Sequence, residues 1–172
     1  MNENQLIEAC LANDRLAQKR LYEKYKNAMY TVSYRITNDF DLANDVLQEA
    51  FIQIFKSLKS FRRESTLGAW IKTIVVRTAI KQAKKKTNFA ELNEQITSGP
   101  DFIDWGDYLE AEYLEKAIQA LPAGYRSVFV LIEIEGYSHK EVGAMLDISE
   151  GTSKSQLFHA KKKLRSMLEK MI

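Results

Sequence analysis

Apolar residues in this chain recur at intervals of three and four and nowhere alternate over the length of a strand, so the pattern predicts helices almost throughout. A short first helix is expected from Leu6 to Leu11, with Asn13 and Asp14 supplying a break and a new N-cap. Leu21, Tyr25, Met29, Val32 and Ile36 form the stripe of a second helix. Asn38 and Asp39 then cap a long third helix reaching about Ser60, whose buried line is Leu47, Phe51, Ile54, Phe55 and Leu58. Phe61 to Ser65 reads as a loop. Ser65 or Thr66 caps a fourth helix that runs through Trp70, Ile71, Ile74 and Val75 into Lys84, Lys85 and Lys86.

From Thr87 to about Asp107 the period fails, a Gly-Pro pair intervenes and no Lys or Arg is present, which is the composition of a linker. Helical period resumes at Leu109, Tyr113, Ala117 and Leu121, and Pro122 starts the next turn. Tyr125, Val128, Phe129 and Ile132 make the following stripe, closed by Gly136 as a C′ residue. Ser138 with Glu141 fits a capping box opening a short helix. The turn Asp147-Ile148-Ser149, with Ile148 expected to be buried, leads into a last helix from Glu150 or Gly151. The expected fold is all-α: two small helical domains, residues 1–86 and 108–172, joined by a flexible acidic linker over 87–107, the second domain a helix-turn-helix.

Composition narrows the chemistry. With 45% hydrophobic and 28% charged residues, wholesale disorder is excluded. No run approaches the ~18 apolar residues of a membrane span and the amino terminus is polar, so no membrane insertion and a cytosolic location are expected. One cysteine, Cys10, cannot form an internal disulfide, and two histidines, His139 and His159, assemble no metal-ligand spacing. Neither GxGxxG nor GxxxxGK[ST] occurs, so a nucleotide-driven enzyme and a bound cofactor are not expected.

The net charge of +2 hides a segregation: zero over residues 1–61, +7 over 62–86, −10 over 87–150 and +5 over 151–172. Two basic blocks separated by an acidic one suit two surfaces that meet an anionic partner, and solvated helix faces would give the same count. On the last helix, Ser153, Leu157, Ala160, Leu164 and Leu168 form the inward stripe. Thr152, Ser155, Phe158, His159 and Lys162 then face away, flanked by Lys154, Lys161 and Lys163. Phe158 opposite the core stripe suits contact with a thymine methyl; the alternative is contact with another domain or plain exposure. On the third helix, Asp45, Gln48, Glu49, Ile52 and Lys56 share one face, where an isoleucine amid polar groups suits a protein-binding surface or a solvated one. The fourth helix leaves Trp70, Thr73, Arg77, Lys81 and Lys84 as its polar stripe, cations that can track phosphates behind an aromatic that stacks on bases or fills a core.

The segments LYEKYKNAMYTVSYRI, DVLQEAFIQIFKSLKSF, FRRESTLGAWI and LPAGYRSVFVLIEIEGYSHKEVGAMLDISEGTSKSQLFHAKKKL, in that order, resemble the bacterial extracytoplasmic-function (ECF) sigma factors of the sigma-seventy superfamily. The resemblance covers nearly the whole chain. It implies a transcription initiation factor, without catalytic residues, that binds core RNA polymerase and promoter DNA. It further implies docking of Asp45, Gln48 and Glu49, the DxxQE motif, with Ile52 beside them, on the clamp of the largest catalytic subunit, and contact with the flap of the second largest. The loop Phe61, Arg62, Arg63, Glu64, Ser65, with Trp70, Arg77, Lys81 and Lys84, would take the minus-ten element. Thr152, Lys154, Ser155, Phe158, His159, Lys161, Lys162 and Lys163 would take the minus-thirty-five element. An anti-sigma partner is implied as well.

Arg77, Lys81, Gln156 and His159 depart from the family's usual residues, and so do Gly143 for alanine, Asp147 for glycine and Ser153 for valine. A stand-alone helix-turn-helix regulator of closed duplex DNA is the alternative, and it leaves the acidic face and the FRRES loop without a role. A helical enzyme would have only Glu49 and His159 as acid–base groups, in different predicted domains.

Overall fold

A computed structural model describes residues 1–86 and 111–171 and divides the chain into two compact units, Met1–Ala83 and Lys84–Ile172. The regular structure of the described residues is helical throughout. The predicted linker over 87–107, and Leu109, lie outside them.

Caps written in the sequence set most helix boundaries. Helix α1 (Glu3–Leu11) starts earlier than expected, because Asn2 and Gln5 form a reciprocal capping box at 2.8 and 2.9 Å. Its first turn is polar and carries no apolar period, which is why periodicity alone began at Leu6. Asp14 caps α2 (Arg15–Thr37) by accepting from the Leu16 and Ala17 amides. Asn38 closes α2 in a left-handed conformation, and the Asp39 carboxylate, accepting from Leu42 N, opens α3 (Phe40–Ser57). A single 3-10 turn, Leu58–Ser60, ends it. Thr66 Oγ1 accepts from Ala69 N at 3.2 Å and opens α4 (Leu67–Lys86).

The first unit packs α1 on α2 and α2 on α3 around Leu21, Ile36, Val46, Ile54, Leu67 and Ile71, all essentially removed from water. Each such side chain contributes about 1.5–3 kcal/mol by burial. Helix α4 is apolar around most of its girth: Ile71, Val75, Val76, Ala79, Ile80 and Ala83 are buried and Ile74 half-buried. It lies against the ring of Tyr25 at Gly68, where a Cβ would stand 3.3 Å from Tyr25 Cε1. Tyr25 is therefore half-buried along α4 rather than fully enclosed in the α2 stripe.

In the second unit, α5 (Ala111–Ala120), α6 (Ala123–Phe129) and α7 (His139–Leu146) each pack on α8 (Glu150–Met171). Helix α5 buries Ala117 and Ile118, so its inward line is offset from the expected stripe and Tyr113 stays 38% exposed. Arg126 of α6 is buried and its Nη1 donates to the Leu121 carbonyl at 2.9 Å, tying α6 to the end of α5. Beyond Phe129, α6 widens into a π turn over Val130–Ile134, with Glu135 N donating to Val130 O. The extra residue in the turn brings Val130 and Leu131 inward and leaves Ile132, expected in the stripe, half-buried. Gly136, at φ +79°, ends the segment, as expected of a C′ residue.

The Ser138–Glu141 capping box opens α7, with bonds of 3.1 and 2.7 Å. Asp147 turns left-handed at φ 58°, and Ile148, expected to be buried, is half-buried. Gly143 is more than a weak helix residue here. A Cβ at that position would lie 2.8 Å from the Ile148 carbonyl oxygen, and Ile148 N donates to Gly143 O at 2.9 Å. The turn closes directly onto the helix that precedes it, and only a residue without a side chain leaves room.

Two substitutions in this turn should therefore act in opposite directions. Gly143→Ala should destabilise the second unit by about 1–3 kcal/mol, as overpacking against backbone does. Asp147→Gly should stabilise by up to about 1 kcal/mol, since glycine adopts the left-handed conformation without a Cβ clash. Thermal unfolding of the full chain measures both. A Gly143→Ala variant as stable as the parent would contradict the close approach.

Candidate nucleic-acid and protein interfaces

On α3, burial of Val46, Leu47, Ala50, Phe51 and Ile54 fixes the opposite face. Asp45, Gln48 and Glu49 are exposed on it, and Ile52 is 58% exposed among them. The structure thus brings all four expected residues onto one surface. The face is rigidly backed: the Phe51 ring meets Tyr22 edge-on at 5.0 Å, and the Glu49 carboxylate accepts a hydrogen bond from the Gln82 amide of α4.

The loop between Ser60 and Thr66 presents Arg62, Glu64 and Ser65 to solvent. Phe61 and Trp70 are both half-buried, with ring centroids 5.2 Å apart, so Trp70 is a partner of the loop's first residue and not an enclosed core side chain. Arg63 is held differently from its neighbours. Its guanidinium forms an ion pair with Glu8 at 2.6 Å and donates to Asn4 Oδ1 at 3.2 Å. Further along α4, Arg77 and Lys81 are exposed and Lys84 partly so.

Helix α8 is capped by Ser149, whose Oγ accepts from Thr152 N at 2.9 Å and whose hydroxyl donates to Thr152 Oγ1 at 2.8 Å. Ser153, Leu157, Ala160, Leu164 and Leu168 are buried, the stripe expected from the sequence. Gln156 is buried with them, so it does not occupy the outward face. That face carries Lys154, Lys162 and Lys163 exposed, with Thr152, Ser155, Phe158 and His159 partly covered. Lys154 lies 3.8 Å from Glu150, and the Ser155 hydroxyl donates to Thr152 O at 3.1 Å. Lys161 is set apart: its ammonium pairs with Glu133 at 2.8 Å and its side chain is only 22% exposed. Aromatic rings order the middle of the helix. His159 stacks parallel on Tyr125 with centroids 5.5 Å apart, Phe158 meets His159 edge-on at 6.1 Å, and Lys163 Nζ sits 5.6 Å from the Tyr125 ring centre.

His139, which carried no role in the sequence reading, joins the two helices of the helix-turn-helix. Its Nδ1 lies 2.8 Å from Ser153 Oγ. Burial pushes its pKa below the ordinary value, with Lys154 and then Lys161 acting the same way and Glu150 and Glu133 opposing. The available signal was its place at the first position of a capped helix, but the partner lies 14 residues away on another helix. In the first unit, burial, with Asp14 adding to it, pushes the Cys10 thiol up, which keeps it protonated and unreactive. Among the described residues no group of His, Cys, Asp and Glu could hold a metal ion, and no helix is long and apolar enough to cross a membrane.

A helix-turn-helix with a basic outer face, in one chain with a second helical unit, is the architecture of a DNA-binding protein. Comparison with known proteins gives the family. Residues 21–89 match the model of sigma-70 region 2, and residues 111–164 match that of sigma-70 region 4. The chain is 26% identical to the RNA polymerase sigma-H factor of Pseudomonas aeruginosa, over 99% of this chain and 95% of that one. It is 27% identical to the ECF RNA polymerase sigma-E factor of Haemophilus influenzae, covering 100% and 98% respectively. Among solved structures, the sigma factor RpoE in complex with the anti-sigma factor NepR, from Bartonella quintana, shares the fold. Its TM-score is 0.57 at 24% identity, covering 88% of this chain and 96% of that one. The chain belongs to the sigma-70 family of RNA polymerase sigma factors, within the ECF group. It is a transcription initiation factor that directs core RNA polymerase to specific promoters, and its family is not an enzyme class.

The His139 contact has a pH signature. A histidine whose folded pKa is depressed favours the neutral native form, so its contribution is fully present above the unfolded pKa, about 6.5, and is lost as pH falls through that value. An NMR titration of the His139 ring should give a pKa below 6.5. The stability advantage of the parent over His139→Asn should shrink between about pH 7.5 and 5.5. A titration at or above the ordinary value would contradict the lowered pKa of the half-buried His139.

Proposed function

We propose that the α3 face docks on the clamp of the polymerase's largest catalytic subunit through Asp45, Gln48, Glu49 and Ile52. The carrying observation is Ile52, 58% exposed in the centre of a polar face while the opposite side of the same helix is fully buried. Folding has no use for an isoleucine there, and a protein interface does. The loop Phe61–Ser65, with Trp70, Arg77, Lys81 and Lys84, takes the opened minus-ten strand, and residues 1–86 act as one domain in doing so. The exposed face of α8 reads the minus-thirty-five major groove, with residues 108–172 as the second domain and the flap of the second-largest subunit as its polymerase contact.

Within α8 the geometry favours a division of labour. Lys162 and Lys163 stand outward where phosphates can reach them, whereas Lys161 is committed to Glu133. His159, stacked on Tyr125, supports the shape of the surface, and Phe158 beside it offers an apolar edge. The site of action is the cytoplasm, where polymerase and promoters are. Regulation by an anti-sigma factor fits as well, the Bartonella quintana RpoE having been solved with one.

Replacing Gln48 and Ile52 by alanine tests the polymerase surface without touching a core contact, since both are exposed. Affinity for core RNA polymerase should fall roughly 30-fold, the equivalent of about 2 kcal/mol, with the circular-dichroism spectrum unchanged. Equal affinity in a folded variant would sink the assignment.

Base readout is tested by selecting bound sites from a randomised minus-thirty-five library with polymerase carrying the parent chain or Phe158→Ala. Loss of preference for thymine at one position, worth about 1–3 kcal/mol of discrimination, is expected. The same preference in both would mean that Phe158 only packs against His159.

A further inference from the structure

The loop from Phe61 to Ser65 is anchored at three points. Phe61 rests against Trp70, and Thr66 caps the helix that follows. The third anchor is remote in sequence. Arg63 reaches α1, where Nη2 lies 2.6 Å from Glu8 Oε1 and Nη1 lies 3.2 Å from Asn4 Oδ1. Asn4 and Glu8 are one helical turn apart, which is the spacing a single guanidinium fork can bridge. Helix α1 is itself fixed by the burial of Leu6, Ile7 and Cys10 and by its capping box, so it offers a rigid post. Arg63 has φ 61°, a left-handed conformation that a long side chain keeps only where its surroundings hold it. Between these anchors, Arg62, Glu64 and Ser65 stay exposed.

We infer that Glu8 and Asn4 are positioning residues for promoter opening: by gripping Arg63 they hold the loop in the shape that receives an unstacked base. Arg63 is then a strut, and Arg62, Glu64 and Ser65 are the loop residues that meet DNA. A loop ordered before the strand arrives loses little further freedom on capture, which is how a contact far from the DNA raises the yield of the open complex. The inference rests on the assignment of this loop to the minus-ten strand.

The test uses the full chain reconstituted with core RNA polymerase on a promoter that the parent chain opens, read by permanganate reactivity of the minus-ten thymines. Glu8→Gln and Arg63→Glu should each lower opening about threefold to fivefold, the range of an exposed pair, with core affinity unchanged. The exchange Glu8→Arg with Arg63→Glu should restore it. In the chain alone, Glu8→Gln should speed tryptic cleavage after Arg62 and Arg63 severalfold, because the loop is released. Unchanged opening in Glu8→Gln would overturn the inference, and increased opening would overturn it by showing Arg63 to be a strand contact that Glu8 holds back. Failure of the exchange to restore opening, or an unchanged cleavage rate, would overturn it as well. If the parent chain opens no promoter, the assignment of the loop to DNA fails. If the parent opens normally and the variants match it, only the positioning role of Glu8 and Asn4 fails.

Discussion

Burial of one stripe of α8 is the constraint on which the second unit depends. Three helices, α5, α6 and α7, share α8 as their packing partner, so the side that carries Ser153, Gln156, Leu157, Ala160, Leu164 and Leu168 has no freedom to turn. At 100° per residue, fixing Leu157 and Leu164 inward forces Phe158 and Lys162 outward. The small residues have a part in this. Ser153 and Ala160 are small and fully buried within the stripe, and Gly143 lets the turn fold back until the Ile148 carbonyl occupies the place of a side chain. A DNA-reading surface thus follows from packing.

The same logic governs α3, where the surface offered to a partner is again what remains after the core is filled. Charge adds a second level of sorting. Count alone makes every lysine and arginine of the basic blocks a candidate for phosphate, but the structure separates them. Lys161 is held by Glu133 on a largely covered side chain, and Arg63 by Glu8 and Asn4, whereas Arg62, Arg77, Lys81 and Lys162 point to solvent. Exposed ion pairs stabilise by about 1 kcal/mol at most, so their weight lies in where they place a side chain.

What the sequence showed clearly was local. Asp14, Asp39 and the Ser138–Glu141 pair satisfy amides two or three residues away, and the α8 stripe repeats at a fixed angle, so both could be read without knowing the fold. The α3 face followed for the same reason. What escaped reading depends on contacts between segments far apart in sequence or on a break in regular geometry. The π turn after Phe129 shifts Ile132 off its expected face, and no residue type announces such a turn. Gly143 stood out only as a departure from the family's alanine, and its reason is the Ile148 carbonyl that closes onto it; Gln156 stood out only as a departure too, and packing removes it from water. The Arg63–Glu8 pair joins positions 55 residues apart, so neither end could be matched to the other beforehand.

This chain acts through RNA polymerase and not as an independent DNA-binding protein. Transcription from a library of randomised promoters, with core polymerase alone and with the purified chain added, tests it most directly. Transcripts are expected only when both are present, from templates enriched in one minus-ten and one minus-thirty-five sequence. No chain-dependent transcript, together with tight binding of closed duplex DNA by the chain alone, would contradict it.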